Sequence, residues 1–160
     1  MGEAHIRHLR PSDHAPVIAV IDEWWGGRAM TRMLPRLFFD HFTDTSFAAD
    51  QDGALAGFLV GFVSPARPGE AYIHFVGVHP GERGRGLGRR LYGTFFDTVR
   101  ARGCTRVRAV TSPVNTGSVA FHRRMGFQLA GDAQVDGIPV TADYDGPGQD
   151  RVCFVKDLLS

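Results

Sequence analysis

The chain has 160 residues, 43% of them hydrophobic, and a formal net charge of +1. That length and apolar content are enough for one domain with a core of its own. The near-neutral balance speaks against a broad nucleic-acid-binding face, and no apolar run is long enough to cross a bilayer.

Taken in order, "AHIRHLRP" suits a short first strand. "SDHAPVIAVIDEWW" predicts a helix: Ser12 and Asp13 are capping types, and Val17, Val20, Ile21 and Trp24 recur at helical spacing. After "GGR", the stretch "LPRLFFDHFTDT" predicts a second helix with Leu34, Leu37, Phe38 and Phe42 on one face. "SFAADQDGALAGFLVGFVS" reads as a hairpin turning at Asp52-Gly53. "EAYIHFVGVHP" is a mostly apolar strand of the kind that lies inside a sheet. From Gly86 a helix follows, with Leu87, Leu91, Phe95 and Val99 every fourth residue and Gly103 at its end. "CTRVRAVTS" is a strand, "NTGSVAFHRRMGF" holds a short helix, and the two remaining apolar segments finish a mixed α/β sheet.

The opening residues lack the apolar stretch of a secretory signal. Cys104 and Cys153 each lie in an apolar segment, so buried free thiols and a cytoplasmic setting are expected. His5 and His8, like His74 and His79, fall on opposite strand faces, so no metal site is expected.

"VHPGERGRGLGRRL" stands out, with four arginines and four glycines between an apolar strand and a helix. The first N–H groups of a helix lack intrahelical partners, the helix dipole adds positive potential, and glycines let a phosphate approach the backbone. Arginines add charge and forked hydrogen bonds. No Gly-Lys-Ser/Thr ending follows, and a dinucleotide-type G-x-G-x-x-G fails because Arg89 takes the last slot. The spacing that fits is Arg-x-x-Gly-x-Gly, as Arg83, Gly86 and Gly88.

With this loop, its flanks "FVGVHPGERGRGLGRRLY", and the later "SPVNTGSVAFHRRMGF", the sequence resembles the GNAT superfamily of acetyl-CoA-dependent N-acetyltransferases from about Tyr72 to Phe127. The resemblance implies a fold of six or seven mixed strands and about four helices, with a splay between two central strands that admits the coenzyme. It implies that Val76, Gly77 and Val78 meet the pantetheine arm, that Arg83, Gly84, Arg85, Gly86, Leu87 and Gly88 hold the pyrophosphate with Arg89 beside it, and that Asn115 hydrogen-bonds the coenzyme. Asn115 also reads as a helix N-cap, which does not exclude the contact.

In many members a tyrosine five residues before the Phe of Gly-Phe protonates the departing thiolate; here His122 stands there. Imidazole has an ordinary pKa of about 6.5 and can donate a proton, but Arg123 and Arg124 disfavour its charged form. A structural histidine is the other reading. His74, on the strand with Tyr72 and Val76, is the candidate base, against a hydrogen-bonded pocket histidine; Glu70 is a weaker one. Trp24 and Trp25, with Tyr72 and Tyr144, are candidates for the acceptor site, and Asp22, Glu23, Asp143 and Asp145 would favour a cationic amine there. Adjacent tryptophans cannot share one helix face, and a homodimer contact is the rival place for one of them.

The expectation is a single-domain enzyme that moves acetyl from acetyl-CoA to a primary amine of a small molecule or peptide by direct attack. The rival is a coenzyme A-binding regulatory module without turnover, left open by the absent tyrosine.

Overall fold

Strand β1 (His5–His8) pairs antiparallel with β2 (Phe47–Gln51), and β2 with β3 (Ala54–Val63). The β2–β3 turn is the one expected, with Asp52 and Gly53 both at positive φ (51° and 80°). The structure, a computed structural model, describes residues 3–159. It is an α/β fold in which seven strands form one mixed sheet in the order β1-β2-β3-β4-β5-β9-β6. The later strands are β4 (Glu70–Val78), β5 (Arg106–Thr111), β6 (Gln128–Ala130) and β9 (Val152–Asp157); β7 (Ala133–Val135) and β8 (Ile138–Val140) form a separate ribbon. The helices are α1 (His14–Trp24), α2 (Leu37–His41), α3 (Leu87–Ala101) and α4 (Thr116–Arg124). Backbone contacts divide the chain, expected to be one domain, into two compact units. One takes the residues up to Val63 together with Ile73–Arg102; the other takes Ser64–Tyr72 and the residues from Gly103 onward.

In the first unit, Val17, Ile21, Trp24, Leu34, Phe39, Phe58, Val60 and Phe75 form the core. The second predicted helix is far shorter than its apolar pattern suggested. Thr45 and Ser46 tie their hydroxyls to Gly61 (Thr45 Oγ1 to its carbonyl, 2.6 Å) and draw the chain out of the helix into β2. The expected face is also wrong in part: Leu34 and Phe39 are buried, while Leu37 is 51% exposed. Asp13 precedes α1, but its carboxylate does not cap that helix. It takes the Arg10 N–H at 2.7 Å and both terminal nitrogens of Arg7 at 2.9 Å.

Two glycines shape the end of β4. A Cβ on Gly77 would lie 2.5 Å from the ring of Phe58, and one on Gly57 would lie 3.0 Å from the Gly77 carbonyl oxygen. Phe58 is fully buried and parallel to Phe75 at 6.0 Å, so it cannot swing away. Gly77→Ala is therefore expected to destabilise the protein by about 2–3 kcal/mol, as overpacking does. Urea unfolding checks this; an unchanged midpoint would mean that the strand shifts freely.

In the second unit, β9 pairs antiparallel with both β5 and β6. Its core includes Val107, Ala109, Val119, Phe127, Val140 and Phe154.

Candidate active site

The loop after β4 begins with a 3-10 turn at Pro80–Glu82 and ends at Gly86, the N-cap of α3. Gly84 (φ 77°) and Gly86 (φ 82°) take the left-handed conformation, and a Cβ at either would meet nothing within 4 Å. The backbone is thus bare where α3 begins, and the first N–H groups of that helix need a partner from outside it. Leu87 is buried beneath the loop and fixes it to the core. Arg85 leans on Glu82 at 3.3 Å, while Arg89 is exposed.

Arg83, expected among the phosphate-holding residues, directs its guanidinium inward. It donates to the carbonyls of Trp24 (2.6 Å) and Val78 (3.3 Å). The Trp24 carbonyl lies at the C-terminal end of α1, where a cation is favourable. Arg83 therefore ties the loop to the end of α1, and its own N–H is directed to the Pro80 carbonyl at 3.4 Å. Sequence reading had no signal for a partner 59 residues away.

His74 is half-buried on β4. Its Nε2 hydrogen-bonds the main-chain carbonyl of Met33, and its ring stacks on Phe38 at 4.2 Å and 12°. Burial pushes its pKa below the ordinary imidazole value, partly offset by the Met33 carbonyl, so it is biased toward the neutral, basic form. Glu70, the weaker candidate, is held by Arg108 at 2.8 Å, with Arg67 and Arg106 at 3.8 Å. The Arg108 hydrogen bond keeps its carboxyl below the usual range, which makes it a poor proton acceptor.

Tryptophan 24 is 4% exposed, near-parallel to Phe58 and edge-on to His79 at 5.4 Å. With Glu23, Leu55, His79 and Pro80 it lines a groove of about 560 Å³. Trp25 is only half-buried, against Phe75 at 4.9 Å. The two tryptophans divide as adjacent helical residues must, one in the core and one toward the surface. Asp22, expected near the acceptor, instead accepts the Met30 N–H at 2.7 Å and closes the turn after α1.

In the second unit, the Asn115 side chain caps α4 by accepting the Ser118 N–H at 3.2 Å; its amide NH2 is not used in that bond. His122 is 6% exposed, stacked on Phe154 at 4.1 Å and 8°. Its Nδ1 lies 2.8 Å from the Ser118 carbonyl, an obligate acceptor, so Nδ1 carries the proton of the neutral ring. Burial pushes its pKa below the ordinary value. The single N–H of the neutral ring is directed to the Ser118 carbonyl, and burial opposes a second proton. Since the unfolded chain binds a proton near pH 6.5 and the folded one resists it, stability is lost as pH falls below about 6.5. His122→Phe keeps an aromatic ring against Phe154 and removes this titration. Its stability loss between pH 7.5 and 5.5 is expected to be smaller by about 1 kcal/mol, read by denaturant midpoints at both pH values. An equal loss in both proteins would show that His122 is not the group responsible.

Tyr72 is partly buried, and burial pushes its hydroxyl well above the ordinary phenol value, with Tyr144, Asp145 and Cys153 adding to the effect. Tyr144 itself is 47% exposed. Asp145 pairs with Arg151 at 2.8 Å, and Asp143 (φ 55°) accepts the Gly148 N–H at 2.8 Å. These two carboxylates are thus engaged within their own loop. Among the described residues no three His, Cys, Asp or Glu side chains assemble as a metal site, and no helix is long and apolar enough to cross a membrane.

Residues 13–127 match the model of the acetyltransferase (GNAT) family. The chain belongs to that family. The expected strand–loop–helix signature is therefore that of a GNAT member, and the α/β fold agrees. A GNAT-family protein from Desulfovibrio desulfuricans superposes with a TM-score of 0.79 at 22% identity, covering 97% of this chain and 99% of that one. A diaminobutyrate acetyltransferase from Paenibacillus lautus, solved with L-2,4-diaminobutyric acid and coenzyme A, gives a TM-score of 0.70 at 21% identity, covering 97% and 95%. In sequence, an L-2,4-diaminobutyric acid acetyltransferase from Nocardia farcinica is 37% identical over 92 residues, 55% of this chain. The match spans 48%, about half, of that relative's length.

Proposed function

We propose that this GNAT protein is an N-acetyltransferase that uses acetyl-CoA to acetylate a primary amine of a small molecule or peptide. The observation that carries the reading is the bare, left-handed Gly84–Gly86 backbone at the start of α3, in a chain of this family. Main-chain N–H groups from Gly84 to Arg89 bind the pyrophosphate, Arg85 and Arg89 add charge, and Val76, Gly77 and Val78 meet the pantetheine arm. The amine nitrogen attacks the thioester carbon, the C–N bond forms, and the C–S bond breaks to release coenzyme A thiolate. His74 takes the amine proton, and solvent supplies the thiolate with its own; His122 packs α4 against β9. The acceptor lies against Trp25, with Trp24 behind it. The protein works in the cytoplasm.

Diaminobutyrate heads the amine panel because named relatives act on it. Release of free thiol from acetyl-CoA, with and without each amine, tests the reading. Amine-dependent release supports it. Coenzyme A binding without release for any amine would favour the regulatory module instead.

A further inference from the structure

His74 sits in a setting that its position on β4 does not require. Its Nε2 meets the Met33 carbonyl, which can only accept a hydrogen bond. Nε2 therefore carries the proton, and in a neutral ring Nδ1 is left as the basic lone pair. The Met33 carbonyl is itself well fixed. It ends a 3-10 turn (Thr31–Met33) in which Met33 N–H donates to Met30 and Leu34 N–H to Thr31. Asp22 holds the Met30 N–H, and the His14 ring donates to the carbonyl of buried Leu34 at 3.1 Å.

The other constraint is aromatic. Phe38 lies nearly parallel to the imidazole at 4.2 Å. It is backed by Phe42 at 5.6 Å, and Phe42 by Phe62 at 5.1 Å. A half-turn of the imidazole would exchange Nε2 for a carbon and break the Met33 bond. Stack and bond together select one plane and one tautomer.

We propose that the Met33 carbonyl and the Phe38 ring are positioning groups that hold His74 as its Nε2–H tautomer, so that Nδ1 is the atom that accepts the amine proton. This rests on the acetyltransferase reading above. It assigns a task to the short α2 and to the turn before it.

Ring ¹⁵N spectra of the full chain with coenzyme A, assigned through His74→Gln, test the tautomer without turnover. A pyrrole-type Nε2 and a pyridine-type Nδ1 are expected. Phe38→Leu is expected to lower kcat about tenfold, leave the acetyl-CoA KM unchanged, and give mixed tautomer signals. Phe38→Tyr, which keeps the stack, should restore most of the rate. A proton on Nδ1 in the unaltered protein, or a Phe38→Leu enzyme with unchanged kcat, would overturn the proposal. So would equal losses in the Leu and Tyr variants. If the unaltered chain releases no thiol with any amine, acetyl transfer fails and the proton-accepting role of Nδ1 fails with it, while the spectra still decide the tautomer.

Discussion

Gly86→Glu is expected to weaken coenzyme A binding by about two orders of magnitude. The N-cap of α3 is left-handed, at φ 82°, so any side chain there is strained. Glutamate also brings a negative charge to the place where the pyrophosphate is proposed to lie. At about 5 Å and an effective dielectric near 20, that repulsion is about 3 kcal/mol, or roughly a hundredfold in affinity. Gly86→Ala separates the two effects, since it carries the strain without the charge and should lose much less. Calorimetry of folded variants reads the result. Unchanged affinity in a folded Gly86→Glu protein would remove the loop from the coenzyme site.

The second large effect is expected at His74. His74→Ala should lower kcat about 10²–10⁴-fold, the usual worth of a positioned base, with the acetyl-CoA KM little changed. The pH dependence has a definite sign. A base works when unprotonated, and burial holds His74 below the ordinary imidazole value. Its acid limb in kcat/KM should therefore lie below pH 6.5, and any further rise toward alkaline pH belongs to the amine. Profiles from pH 5 to 9 decide: the low limb should vanish in His74→Ala. If it persists, another group sets it.

The loop, the hairpin and the long α3 were legible because each is written locally. Asp52-Gly53 dictates its turn, and Leu87, Leu91, Phe95 and Val99 are buried at the fourfold spacing of their helix. What escaped depends on residues far apart in the chain. The length of α2 is decided by hydroxyls reaching Gly61, and the direction of Arg83 by a carbonyl in α1. The environment of His74 depends on Met33, 41 residues earlier, and a carbonyl has no signature in a sequence. Ser118 was the exception that could have been found. It lies four residues before His122 on one helix, where side chain and backbone are neighbours. The tryptophans show the other limit: adjacency predicted that they would part, but not which one would enter the core.

The Arg83 guanidinium also links two segments that the chain keeps far apart. One end of it belongs to the glycine loop, and its hydrogen bond ends on the last turn of α1, next to Trp25. On the proposed assignments, an anion bound by the loop would steady the turn carrying Trp25, and an acceptor seated on that turn would steady the loop. Linkage makes the two effects equal in size. Donor and acceptor affinities are then expected to be coupled through one side chain, so that a change at position 83 alters both together, whichever substrate is varied.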